Sequence, residues 1–150
     1  MSFQVKTLQT NTDIDARDHT MIMFIYLRAG HYSHVLSHFD ALHTNNVKAT
    51  SKHYNLALAA NAAMGNHKVV LGLWREFCGI YPRLAYLNFD GYSMVIEACW
   101  ECGDLSQAEK CYSLLTEKLA GSIVVADRVI TETMIRVYGS AGDIAKGVDL

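Results

Sequence analysis

The sequence predicts an all-α protein in which helical hairpins repeat and stack as a solenoid. Three observations lead there. A helix–break–helix layout recurs four times, a glycine marks each break at Gly30, Gly65, Gly103 and Gly142, and large apolar residues keep fixed offsets from those glycines. The glycines are 35, 38 and 39 residues apart. A repeat of that size fixes architecture before any local argument does. One helical hairpin cannot bury its apolar face alone, so neighbouring hairpins must stack.

The clearest copy runs from Thr20 to Leu42 (TMIMFIYLRAGHYSHVLSHFDAL) and breaks at Arg28–Ala29–Gly30–His31. The layout returns from Asn55 to Phe77 and from Ser93 to Leu115, and a fourth copy begins at Glu132. Repeats are expected at about 16–50, 51–88 and 89–127, with a partial fourth at 128–150. Residues 1–15 read as the tail of a second helix plus its polar connector, because TNTDID (Thr10 to Asp15) compares with NNVKAT (Asn45 to Thr50). Only seven residues follow Asp143, so the register points to a single solenoid belonging to a longer chain.

Each first helix carries an apolar stripe. Seven places before the glycine stand Met23, Leu58, Ile96 and Ile135, and eight before stand Ile22, Ala57, Val95 and Met134. In the second helices, Tyr32, His67, Leu105 and Ile144 lie two places after the glycine, and Val35, Val70, Ala108 and Gly147 five after. Nine after come Phe39, Trp74 and Tyr112, and twelve after come Leu42, Phe77 and Leu115. Offsets of 2, 5, 9 and 12 share one face of a 3.6-residue helix. The glycine allows a left-handed end to the first helix without steric cost. Asn66, Asp104 and Asp143 then follow as good N-caps, and His31 as a poor one.

Composition fits a folded helical chain: 51% of residues are apolar, 19% are charged, and there is a single proline, Pro82. A net charge of −2 with a pI near 6.4 counts against a strong phosphate-neutralising surface. It leaves room for binding through stacking and base-edge contacts. No apolar run approaches the length of a membrane span, so no membrane association is expected. The first eighteen residues hold Asp13, Asp15 and Asp18 against Lys6 and Arg17, unlike an Arg-rich transit peptide.

Cys99 and Cys102 are one turn apart, with Cys111 beyond, but their columns also hold Tyr26 and Tyr138, then Ala29 and Ala141. Those are packing positions, so buried structural cysteines are expected, and a reducing or neutral compartment. His34 and His38 share columns with Val69 and Leu73 and are expected to be partly packed. No metal, no cofactor and no catalytic residue is expected, since no phosphate loop, nucleophile–base pair or local carboxylate cluster is present. The chain is not expected to be an enzyme.

Two columns discriminate among helical-hairpin families. A tetratricopeptide repeat favours small residues seven before the hinge and twelve after it, where Met23, Leu58, Ile96, Ile135 and then Leu42, Phe77, Leu115 stand. The chain instead resembles the pentatricopeptide repeat family. The 35-residue step from Gly30 to Gly65, His53–Tyr54–Asn55, Gly91–Tyr92–Ser93 and Gly103–Asp104–Leu105 leading to Ala108 carry the resemblance. It spans nearly the whole chain but is degenerate. The usual Gly and Pro are missing from Asn46 to Thr50, and Gly147 stands where alanine is expected.

The resemblance implies a right-handed α-solenoid that binds single-stranded RNA or rRNA in an organelle, one base per repeat. By family analogy, the first reading positions are Thr20, Asn55, Ser93 and Glu132, with repeat-ending partners Thr50, Asn88 and Asp127. Asn55 with Asn88 looks like a pyrimidine-reading pair, and Ser93 with Asp127 like a guanine-type pair. Stacking or phosphate contact falls to Arg17, Lys52 and Val129, while Asp90 in the same column would repel the backbone. The resemblance further implies a mitochondrial setting (or a plastid one), in RNA metabolism or the mitoribosome, beside other proteins of a ribonucleoprotein complex. The alternative is a helical-repeat scaffold that binds protein segments without RNA contact.

Overall fold

The computed structural model describes residues 15–81, 89–119 and 128–149. These residues form eight α-helices and no strand: α1 (Ala16–Arg28), α2 (Tyr32–Thr44), α3 (Ser51–Ala63), α4 (His67–Ile80), α5 (Phe89–Cys102), α6 (Leu105–Leu119), α7 (Arg128–Ala141) and α8 (Ile144–Val148). The protein is all-α, with adjacent helices packed on one another. The expected tail in residues 1–14 and the connectors at 82–88 and 120–127 lie outside the described residues.

The hinges form as the glycine spacing predicts, and by one repeated mechanism. Gly30, Gly65, Gly103 and Gly142 have φ of +76°, +74°, +68° and +76°. At each hinge two backbone bonds recapture helix-end carbonyls. In the first, Gly30 N–H donates to Leu27 O at 3.1 Å and His31 N–H to Tyr26 O at 2.9 Å. The same pair recurs at Gly65/Asn66, Gly103/Asp104 and Gly142/Asp143, the Schellman arrangement. A fifth copy ends α2: Asn46, at φ +54°, donates to His43 O, and Val47 donates to Leu42 O at 2.8 Å. Asparagine tolerates this conformation best after glycine, so Asn46 does at that end what the absent glycine would have done.

Capping of the second helices is mixed. Asp104 Oδ1 accepts from Gln107 N–H at 3.1 Å, and Asp143 Oδ1 from Lys146 N–H at 3.3 Å. Asn66 does not cap α4 as expected; its amide nitrogen instead donates to Asn61 Oδ1 at 3.4 Å. His31 makes no side-chain cap bond. Asp15 caps α1, taking the N–H groups of Arg17 and Asp18 at 2.8 and 3.0 Å; these bonds hold its carboxyl below the usual value.

The described residues belong to two compact units, divided between Ala60 and Asn61 inside α3. In the first, α1 packs on α2. Met23, Val35, Leu42 and Tyr54 are fully buried, and Phe39 meets Tyr54 edge-on with ring centroids 5.2 Å apart. In the second, α5 is central: it packs against α4, α6 and α7. Trp74 and Phe77 of α4, Tyr92, Val95 and Ile96 of α5, and Ala108, Cys111 and Leu115 of α6 form its core. Tyr92 meets Trp74 edge-on at 5.8 Å.

Two columns depart from the sequence reading. Ile135, placed in the first-helix stripe, is 46% exposed, unlike Met23, Leu58 and Ile96 in the same column. Cys102 is exposed, whereas Cys99 and Cys111 are buried. Cys102 ends its helix beside the hinge, where Ala29 is exposed as well. Burial raises the Cys99 thiol to about 12, and the Cys111 thiol is also raised, first by burial and then by Cys99. Among the described residues no helix is long and apolar enough to cross a membrane.

Candidate nucleic-acid interface

The residue ten places before each hinge occupies the same register of α1, α3, α5 and α7, so Thr20, Asn55, Ser93 and Glu132 sit alike on their own helices. Thr20, Asn55, Ser93 and Glu132 are half-buried, and Arg17 and Lys52 are exposed. Val129 lies in the first turn of α7. Asn88 and Asp127, the partners assigned to Asn55 and Ser93, lie outside the described residues.

Asn55 is turned toward its own helix. Its amide nitrogen donates to Ser51 O at 2.8 Å, which fixes the side-chain orientation. Its Oδ1 is buried and accepts no hydrogen bond. An orphaned buried acceptor costs about 1–3 kcal/mol.

Thr20 and Thr50 are organised differently. Both bond to His53, which is completely buried in the third position of α3. Thr50 N–H points at His53 Nδ1 at 2.9 Å, and Thr50 Oγ1 lies 3.1 Å from the same nitrogen. Nδ1 must therefore carry a lone pair, which puts the ring proton on Nε2. Nε2 lies 2.9 Å from Ala16 O and 2.8 Å from Thr20 Oγ1, and Thr20 Oγ1 donates to Ala16 O at 2.8 Å. The network ties the first turn of α1 to the first turn of α3. Burial lowers the His53 pKa, the Ala16 carbonyl opposes that, and His19 adds to it.

Sequence reasoning saw His53 only as part of a family motif. A signal was present: Thr50-x-x-His53 has the spacing of a capping box, in which the third helical side chain reaches back to the N-cap N–H. Histidine performs the acceptor role that glutamate or glutamine ordinarily has.

A second feature invisible to the column pattern is a file of aromatic rings between α1 and α2. Tyr26 stacks on His34 at 4.8 Å and on His38 at 5.6 Å, and His38 meets the buried His19 edge-on at 5.7 Å. Neither nitrogen of His19 has a hydrogen-bond partner. Burial, then His19 and His34, lower the His38 pKa. Among the described residues no three His, Cys, Asp or Glu side chains are disposed to hold a metal ion.

In the second unit, Trp100 is pinned by its indole N–H, which donates to Ser140 Oγ at 3.0 Å, and the Arg136 guanidinium lies 5.9 Å from its ring centre. The recess beside it, lined by Cys99, Gly103, Leu105 and Val137, has a volume of about 80 Å³. Ligand pockets usually span ~300–1,000 Å³, so this one accommodates a few waters. On the outer face of α1, Met21, Phe24 and Ile25 are 60%, 50% and 57% exposed. A scan against protein-family models finds no match to this chain, and no curated protein matches it.

Proposed function

We propose that the chain is a pentatricopeptide-type right-handed α-solenoid that binds single-stranded RNA or serves as a component of an organellar ribonucleoprotein. Mitochondrial RNA metabolism or the mitoribosome is the setting this reading favours. The observation that carries it is the set of four regular hinges, each closed by a positive-φ glycine, at the spacing from which the family resemblance is drawn. The shared register of Thr20, Asn55, Ser93 and Glu132 supports the same reading. Arg17 and Lys52, both exposed near those positions, would meet phosphate in this reading.

Binding of single-stranded RNA oligonucleotides to the full chain, measured across a salt series, tests it. Asn55→Ala should weaken binding about 5- to 10-fold at a cognate site, as expected for loss of one base contact worth ~1–1.4 kcal/mol. Affinity unchanged by Asn55→Ala, or no RNA affinity at all, would sink direct recognition. The second reading is a protein-binding helical scaffold. It is favoured by the exposed apolar stripe Met21, Phe24 and Ile25 and by the net charge of −2.

A further inference from the structure

In every hairpin after the first, the first helix buries the residues five and eight places before its hinge glycine. These are Ala57 and Ala60, Val95 and Ala98, and Met134 and Val137, and all six are buried. The last pair belongs to α7, which packs on α5 and α6. On α1 the same face is open: Ile25 is 57% exposed, Ile22 is half-buried, and Met21, one turn before Ile25, is exposed as well. Phe24 adds to it from a different column, six places before the hinge, where the later repeats carry Ala59, Glu97 and Arg136. Glu97 and Arg136 are exposed, so stacking of repeats leaves that column in water. An exposed phenylalanine there marks a contact that repeat stacking does not make.

The charges at the two ends of this face say what fits it. Asp18, Met21, Ile25 and Arg28 follow one another at intervals of three, four and three residues, so they form a seam along α1, and all four are exposed. Met21 and Ile25 lie symmetrically about Met23, and so do Asp18 and Arg28. Laid antiparallel on a copy of itself across a two-fold axis, the seam sets Met21 against Ile25 and Asp18 against Arg28, twice over. Ile22 on one flank and Phe24 on the other then each face their own counterpart. Among the described residues neither Asp18 nor Arg28 forms an ion pair. We propose that the outer face of α1 is a homodimer interface, on which a second copy of this chain packs its own α1 antiparallel with an Asp18–Arg28 ion pair at each end. Such an interface is isologous, the same patch serving both subunits. The apolar middle supplies the affinity and the end pairs set the direction, because a parallel pairing would place Asp18 on Asp18 and Arg28 on Arg28. The inference concerns assembly and does not depend on whether the chain binds RNA.

Sedimentation equilibrium of the full chain over a concentration series tests the proposal. Wild type should populate a dimer. Phe24→Glu and Ile25→Glu change side chains that the single chain leaves exposed, so each should keep the helical circular-dichroism signal. Each should also raise the dissociation constant about 30-fold or more, as for a residue central to an interface. Asp18→Arg alone, or Arg28→Asp alone, sets like charges opposite one another and should raise it about tenfold. The double variant Asp18→Arg/Arg28→Asp restores opposite charges at both ends and should return the dissociation constant to within about threefold of wild type. Both of its changes oppose the helix dipole, so a stabler helix is not the source of that recovery. A wild type that is monomeric at every concentration would assign the face to another occupant and overturn the proposal. So would a dimer that survives Phe24→Glu and Ile25→Glu. A double variant no better than either single reversal would overturn the antiparallel pairing.

Discussion

Gly30, Gly65, Gly103 and Gly142 hold φ between +68° and +76° in open surroundings, where an added Cβ would meet nothing within 4 Å. Their requirement is thus one of backbone conformation and not of space. Left-handed backbone costs an L-residue about 1–2 kcal/mol. Gly65→Ala should destabilise the chain by about that amount in urea unfolding, with the helix content of the folded state unchanged. A larger loss with altered helicity would mean that the hinge is sterically confined. Asn46 shows the milder alternative, because its helix end takes the same conformation with a side chain present. Residue identity at these sites is readable from sequence because the constraint is local. The engagement of Thr20 by His53 is not, because the two lie 33 residues apart and meet only through packing.

Helix ends and helix faces obey different rules. Asp104 serves as N-cap of α6 and also lies 3.9 Å from the Arg75 guanidinium, an exposed ion pair that adds little. Asp104→Ala should therefore cost about 1 kcal/mol, the ordinary value of a lost cap, and Arg75→Ala much less. Equal losses in thermal or urea unfolding would assign the effect to the ion pair. The faces are set by neighbours. Five places before the hinge, Ile25 is 57% exposed, while Ala60, Ala98 and Val137 are buried. The sequence pattern marks all four as apolar, yet burial follows from which helices lie alongside. Ile135 makes the same point at α7. Periodicity identifies the stripe, and only adjacency determines which part of it is covered.

At the scale of the whole molecule, the second unit depends on the contact of Trp74 with Tyr92, which joins α4 to the central helix α5. Burial holds the Tyr92 hydroxyl up to about 12, so it stays neutral in the interior. Trp74→Ala should destabilise that unit by about 3–5 kcal/mol. Hydrogen exchange should then show lost protection in α4 to α6 before α1 and α2 respond. Simultaneous loss throughout would show that the two units unfold as one. The columns that named the core were nearly all legible in advance: Met23, Val35, Leu42, Leu58, Val70, Phe77, Ile96 and Leu115 are all buried. The candidate site was legible only in part. Asn55 stands in the expected register, but spacing alone does not show that its Oδ1 is buried without a partner.

By itself, the sequence determined the helical class, the four hinges and the apolar stripes, because each depends on spacing along one helix or on the backbone preference of one residue. Tertiary structure decided which hydroxyls are free, which imidazoles stack and which apolar faces stay open. Those properties belong to pairs of side chains brought together from different helices, and a column pattern carries no record of which partner arrives.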